Sequence, residues 1–456
     1  MLLVVLGAVS FVAILRTRLR QTVAVEEEKI ARPLLRSEEP PTWDWLRRWE
    51  QELPQHALDV AAPEGVSGRY LRFNNQAQRL GWNNVLSELL MNAHLAHEAG
   101  RGYVFPEFTW EPSHYPWKFY EDEELEREGW PPRTPLNALM SGPVSGGPWE
   151  WNDRTPRSIS WKHFDIICPP NERVQVNSST VKKGMEWSEG GDILSRWTST
   201  LKDIPDRCVE ILPSDDDGFP QIFDMWLWGS PRVTSLWDSF SKSPVSTLLR
   251  PSPLVSAAVA RNEYLFLPEG PLPKARTSTE PWGRVLAMHL RRGDYEGACQ
   301  HFARWSSVFY GWNQLPFLPD TFTPPPGSSW GENTPENTAI YMGRCYPEID
   351  AVVQRVRQAR EDSEVYTDVL YLLTNEKGEW LDRLLDALGQ DGWPTIRTSR
   401  ELVLEGVEQK EVAMAVDMDI ARRASVFIGN GWSSFTSSIV HRRLVDGKKP
   451  ESIRFY

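Results

Sequence analysis

Short apolar runs alternate along this chain with longer stretches whose apolar positions recur every three to four residues. The runs have the length of strands and the stretches have the period of helices. Arg69 to Phe73 is a short strand by this pattern. Leu80 to His97 then places Leu86, Leu89, Leu90, Ala93 and Leu95 at helical spacing, and Gly100 and Gly102 close it. Tyr103-Val104-Phe105 is the next strand. Strand, helix and strand within about 35 residues predict a βαβ unit.

A second series begins near Pro281. Arg284 to Leu290, Val369 to Leu373 and Ser425 to Ile428 are strands in pattern. Thr338 to Glu361, Glu408 to Ala424 and Ser433 to Arg443 are helical in pattern. Glu379 to Leu388 is amphipathic, with Trp380, Leu381, Leu384, Leu385 and Leu388 on one side. Strands alternating with helices predict a parallel sheet. Two such series predict an α/β chain of two units with its ligand between them.

Elsewhere the pattern weakens. Residues 106 to 200 read as long loops or an insertion rich in Pro, Gly and Trp, and about Phe223 to Asn262 as helical. Met1 to Leu15 is nearly all apolar and is followed by Arg16, Arg18 and Arg20. As a helix it spans about 22 Å, short of the roughly 30 Å hydrocarbon core. The expectation is a signal anchor whose apolar span begins upstream, with a cleaved signal peptide as the alternative. The trailing arginines alone would favour a cytoplasmic body. The signal-anchor reading instead places the body in the lumen of the ER or Golgi, attached to the membrane. Domains are expected at 1–20 (anchor or signal), 21–64 (stem or linker, with a short helix near Trp43 to Leu53), 65–275 and 276–456.

Composition narrows the function. The 456 residues carry a net charge of -12, which argues against nucleic acid as a partner and leaves room for one local basic pocket. Twenty-two Trp and 36 Pro suit loops that line sugar or peptide grooves. The four cysteines form no Cys-x-x-Cys pair, so they offer no metal site; they allow two disulfides whose pairing stays open. Asn177-Ser178-Ser179 is a glycosylation acceptor triplet. Asp215-Asp216-Asp217, between Pro213 and Gly218, reads as an exposed turn rather than a metal site.

In parallel α/β sheets, ligands sit beyond the carboxyl ends of strands. Four predicted strands end in polar or small residues: Phe73-Asn74-Asn75-Gln76, His289 to Asp294, Thr374-Asn375-Glu376, and Gly429 to Thr436. In the last, glycines permit a tight turn, and Ser433 and Ser434 open a helix whose free N–H groups favour an anion. In the second, Arg291 and Arg292 offer permanently charged forks suited to phosphate. One would hold a diphosphate, and the other would pair internally with Asp294. Arg292-Gly293-Asp294 at a buried strand end is a poor adhesion site.

Together these stretches resemble the GDP-fucose protein O-fucosyltransferase family, within the wider fucosyltransferases that share an His-x-Arg-Arg-type motif. Arg72-Phe73-Asn74-Asn75-Gln76 is similar to the family's Arg-Phe-Gly-Asn-Gln, with Asn74 in place of the Gly. His289-Leu290-Arg291 is similar to its His-Leu-Arg, and Val416-Asp417 to Ile420 with Phe427 to Thr436 is similar to its C-terminal pattern. The resemblance implies a GT-B-type α/β fold, two Rossmann-like domains facing a central cleft. It implies transfer of fucose from GDP-fucose with inversion, no cofactor and no required metal. Arg291 would grip the β-phosphate, with Arg292 and Asp294 completing the donor motif. His289 and Asp417 would contact guanine and ribose. Ser433, Ser434 and Phe435 would line the phosphate and base pocket. Asn75, in the loop of Phe73, Asn74 and Gln76, would orient the acceptor or the fucose, with Glu88 or Glu107 as a possible carboxylate base. The expected acceptor is Ser or Thr of a protein. The alternatives are a glycan acceptor, as in α1,6-type transfer, and a non-catalytic GDP-sugar or glycan binder.

Overall fold

The computed structural model describes residues 40–117, 132–267 and 281–456. Two five-stranded sheets organise them, and every pairing within each is parallel. The first sheet comprises β1 (Tyr70–Phe73), β2 (Gly102–Phe105), β3 (Ile159–Ser160), β4 (Arg173–Asn177) and β5 (Cys208–Leu212), in the order β3-β2-β1-β5-β4. The second comprises β6 (Val285–Leu290), β7 (Val369–Thr374), β8 (Thr395–Thr398), β9 (Val426–Gly429) and β10 (Ile453–Phe455), in the order β8-β7-β6-β9-β10. The second order is that of a doubly wound dinucleotide-binding sheet, which reverses direction between its first and fourth strands. Two α/β units of this kind are the GT-B-type arrangement.

Alternation with period two sorts the core. Leu286, Met288 and Leu290 of β6 face one layer with Val352, Val356, Leu381 and Leu384. Val285 and Ala287 face the other, a continuous apolar cluster that reaches into the first unit. There, helix α1 (Trp82–Glu98) packs against α3 (Ser434–Val445), and α2 (Ala413–Arg423) packs against both α3 and the helix Pro253–Asn262. The helical layer of the second unit therefore begins before residue 276, ahead of the boundary read from sequence.

Among the described residues of 106–200, the part from Ile159 onward is not loop or insertion but belongs to the first sheet and its helices. It supplies β3, β4 and the helices Trp161–Ile167 and Gly190–Asp203. The pattern hid these strands because β3 has two residues, β4 is a half-exposed edge, and β5 carries the buried Glu210. Glu210 is neutralised by Arg173 at 3.0 Å and Arg72 at 3.5 Å.

The stretch from 40 to 64 is not a free stem. The helix Asp44–Gln51 buries Leu46 and Glu50, and Trp43, Leu53 and His56 are also inside. The Trp43 indole donates to Glu411 Oε1 at 3.0 Å, and Trp117 to its Oε2 at 2.8 Å. The Thr134 hydroxyl donates to the same carboxylate. Burial raises the pKa of Glu411. One carboxyl of the second unit thus gathers three donors from the first. The apolar segment Met1 to Leu15, expected as an anchor, lies outside the described residues. Among the described residues no helix is long and apolar enough to cross a membrane.

All four cysteines are paired, Cys168 with Cys208 and Cys299 with Cys345. The first pair ties the end of helix Trp161–Ile167 to β5. The second ties helix Glu296–Arg304 to helix Pro335–Cys345.

Candidate active site

The second sheet reverses direction at β6 and β9, so a crevice opens beyond their carboxyl ends. The residues that follow these strands are Arg291 to Asp294 and Asn430 to Ser433. His289 is the last inward residue of β6. It is buried, its Nδ1 lies 3.0 Å from Thr436 Oγ1, and its ring meets that of Phe435 at 4.6 Å. Burial and the neighbouring Arg291 lower its pKa to about 3, so the imidazole is neutral and bonds without charge.

Arg291 projects next on the same side. Its side chain is 26% exposed and forms a fork with Asp294, Nη1 to Oδ1 at 2.9 Å and Nη2 to Oδ2 at 3.1 Å. It also lies over the Tyr295 ring at 5.2 Å. Asp294 accepts from Asn375 Nδ2 at 2.8 Å.

Arg292 turns the other way. It is buried between the rings of Tyr346 at 3.9 Å and Trp380 at 4.0 Å, and donates to Pro347 O at 2.7 Å. Glu348 and Glu376 each lie 3.5 Å from its guanidinium. The sequence reading placed Arg291 on the β-phosphate, put Arg292 and Asp294 in the donor motif, and expected the arginine that does not hold the diphosphate to pair with Asp294. Asp294 pairs instead with Arg291. Successive residues past a strand end point to opposite faces, so Arg291 meets the crevice and Asp294, while Arg292 staples the layer beneath.

The loop after β9 is held close. A side chain on Gly429 would meet Thr436 at 2.3 Å, and one on Gly431 would meet Phe309 at 2.2 Å. Asn313 donates to Gly431 O at 2.8 Å and Ser433 O at 3.2 Å. Ser433 precedes α3 without capping it through its side chain. The first-turn N–H groups of α3, from Ser434 onward, therefore remain available to an anion. Asp417 of α2 accepts the Tyr371 hydroxyl, and burial raises its pKa to about 6. Tyr371 stands opposite Ala287, two residues before His289 on the neighbouring strand.

From the first sheet, the loop after β1 approaches. Phe73 is core and packs on Tyr103 at 5.8 Å. The Asn74 N–H donates to Ile211 O at 2.8 Å. Asn75 is buried; its Nδ2 donates to Pro220 O at 2.9 Å, and its Oδ1 has no partner. Gln76 is structural, accepting from Tyr103 Oη at 2.7 Å.

Glu88 Oε2 accepts the Ala77 N–H at 2.8 Å, while Oε1 is buried without a partner. Burial raises its pKa to about 8. Burial thus favours its protonated form, which weighs against a role as general base. Glu107 is bonded to Arg47 at 2.6 Å. Asp217 is paired with Lys182 at 2.8 Å, in keeping with a turn rather than a metal site.

Sequence reasoning missed Tyr295 and Asn313, which set the Arg291 and Ser433 loops, and gave Asn375 only as part of a polar strand end, without its bond to Asp294.

Residues 249–446 match the family model described as GDP-fucose protein O-fucosyltransferase. The crystal structure of POFUT1 in complex with GDP-fucose is similar at 15% identity and a TM-score of 0.49, covering 85% of this chain and 98% of that chain. POFUT1 in complex with GDP gives 14% identity and 0.46, over 85% and 98%. NodZ alpha-1,6-fucosyltransferase soaked with GDP-fucose gives 10% and 0.37, over 81% and 91%. No curated protein matches the chain. The matched stretch, residues 249–446, holds β6 to β9 and the loops that follow them, so the likeness to the GDP-fucose protein O-fucosyltransferase family falls on the second unit and its crevice.

Proposed function

We propose that this chain is a fucosyltransferase that moves fucose from GDP-fucose, with inversion, to a hydroxyl of an acceptor protein, on Ser or Thr. The observation that carries the reading is Arg291. Within the family-matched segment, it is the cation that meets the crevice at the switch point of the second sheet. The acceptor oxygen attacks the anomeric carbon as the bond to the β-phosphate oxygen breaks; the hydroxyl proton passes to the departing GDP or to solvent, and charge grows on GDP. A guanidinium fixed beside that oxygen stabilises it. Arg291 thereby supplies the charge that a divalent cation provides elsewhere, and the reaction needs no metal. Ser433, Ser434 and the first turn of α3 hold the phosphates. His289, Phe435 and Asp417 line the nucleoside side, and Asn75 faces the acceptor.

The body works in the lumen of the ER or Golgi, anchored to the membrane through the N-terminal segment. Two disulfides that use every cysteine support an oxidising compartment.

Calorimetric titration of residues 40–456 with GDP, GDP-fucose, UDP and ADP, with and without EDTA, tests this. The expected result is selective binding of the guanine ligands, unchanged by EDTA. Equal affinity for UDP and ADP would overturn the reading, and transfer that stops in EDTA and returns with Mn²⁺ would overturn its metal independence.

A further inference from the structure

The first unit holds a cavity that the motifs do not account for. It encloses about 830 Å³, within the roughly 300–1,000 Å³ of small-ligand sites. It sits beyond the carboxyl ends of β4 and β5, on one side of the point where the first sheet reverses direction. Lys182 comes from the segment after β4. Asp217, Phe219 and Asp224 come from the segment after β5, and Trp330 reaches in from the second unit.

Its rim is aromatic. Trp187 is 75% exposed, Trp330 76% and Trp226 46%. Trp226 and Trp330 lie nearly parallel, 6.2 Å apart and 17° between planes, and Phe219 meets Trp226 edge-on at 5.8 Å. Exposed apolar area gathered around a concavity marks a binding site.

The charges say what kind. Three cations (Lys182, Lys183, Arg232) face four carboxylates (Glu186, Asp216, Asp217, Asp224), so the cavity is close to neutral. Lys182 is committed to Asp217 at 2.8 Å, and Arg232 to the Ser188 carbonyl at 3.0 Å. A nucleotide or phosphate would therefore meet little uncommitted positive charge. An apolar peptide side chain would cover the indoles but leave unmet the remaining acceptor capacity of the carboxylates, which Lys182, Gly184, Ser214 and Leu227 use only in part. The floor also holds a donor: Trp197 lines it, and its indole N–H is buried without a partner.

A neutral sugar matches each feature. Its C–H face lies on the negative face of an indole. Its hydroxyls donate to carboxylate oxygens and accept from an N–H.

We infer that this cavity is a binding site for a neutral oligosaccharide, the sugar chain of a glycosylated acceptor. The acceptor role rests on the proposed transfer; the binding site itself does not. The site is tied to the reaction side through Asn75, whose amide holds Pro220 O in the same loop that carries Phe219 and Asp224.

The test titrates the disulfide-intact protein with cellotetraose, mannotetraose and chitotetraose, read by calorimetry and tryptophan emission, with GDP as a parallel titration. At least one tetrasaccharide should bind and shift the emission. Trp187→Ala and Trp330→Ala should each weaken that binding at least tenfold while GDP binds as before. Both side chains are largely exposed, so neither change threatens the fold. No binding of any tetrasaccharide at 10 mM, or binding indifferent to both tryptophans, overturns the inference. Binding of an unglycosylated acceptor peptide that is lost in the same variants overturns it in favour of a peptide groove. Sugar binding without GDP binding would leave the site standing and remove the transferase reading.

Discussion

The guanidinium of Arg291 and the carboxylate of Asp294 meet through two parallel bonds, 2.9 and 3.1 Å, at a site where both remain partly open to solvent. An exposed ion pair of this kind is worth about 0.2–1 kcal/mol. A diphosphate brings more charge and can take the fork at small cost.

Arg291→Ala should therefore lower kcat/KM by roughly 100- to 1,000-fold with little change in unfolding free energy. Arg291→Lys should recover part of the loss, because a point charge replaces the fork. Steady-state transfer and urea unfolding of the three proteins check this. A loss of stability that matches the loss of activity would return Arg291 to a structural role.

Arg292 should behave in the opposite way. It fills the space between Tyr346 and Trp380 and satisfies Pro347 O. Arg292→Ala removes that packing and leaves a buried carbonyl without a partner, at a cost of about 3 kcal/mol. Urea unfolding should show the loss, and calorimetry should show GDP affinity unchanged in the folded protein. Weakened GDP binding at full stability would restore the assignment made from sequence.

These two neighbours show what a motif leaves undetermined. The tripeptide, the strand before it and the crevice beyond it were all legible. Which arginine faces the crevice was not legible from the residue pattern alone, because that depends on the pleat at the end of β6 and on Tyr346 and Trp380, far away in sequence; the family resemblance alone pointed to Arg291. The second sheet was legible where apolar runs are long, as in Val285–Leu290 and Val369–Thr374. Its edge strands were not, since Thr395–Thr398 and Ile453–Phe455 are short and partly polar. The same limit hid β3 and β4, and Glu210 disguised β5. Trp43 looked like part of a linker because its partner, Glu411, lies 368 residues away.

The Cys299–Cys345 bond spans 46 residues and fixes the helix that follows the Arg291 loop. Closing a loop of that length is worth about 4 kcal/mol in the chain-entropy account. Cys299→Ser with Cys345→Ser should lower the unfolding free energy by about that amount and weaken GDP binding as well, by loosening Tyr295 and Arg291. Cys168→Ser with Cys208→Ser should lower stability without touching GDP affinity. Paired unfolding curves and GDP titrations separate the two.

Glu88 gives a pH dependence of fixed sign. Burial raises its pKa from 4.5 to about 8. Between these values the unfolded chain has released a proton that the native chain keeps. Rising pH therefore favours unfolding, and the contribution is complete below pH 4.5 and lost by about pH 8. Glu88→Gln removes the titration. Relative to wild type it should gain on the order of 4 kcal/mol between pH 5 and pH 9. Urea unfolding of both proteins at the two pH values measures this. An equal difference at both would mean that Glu88 is ionised in the native state, which would make it available as a base after all.

In the proposed transfer Asn75 acts on the acceptor side, and that role can be read separately from the donor site. Its Nδ2 donates to Pro220 O across the reversal of the first sheet, and its Oδ1 is buried without a partner. A carboxamide is no base near neutral pH, so its contribution is orientation, through the free oxygen and through the loop it holds. Asn75→Ala should lower kcat roughly 100-fold, the scale of a misplaced reactant. GDP affinity should stay unchanged, because the proposed donor site holds the phosphate groups through Arg291 and the first turn of α3. Transfer kinetics beside GDP calorimetry decide it. Equal losses in both would place Asn75 in the donor site and leave the acceptor side without an orienting group.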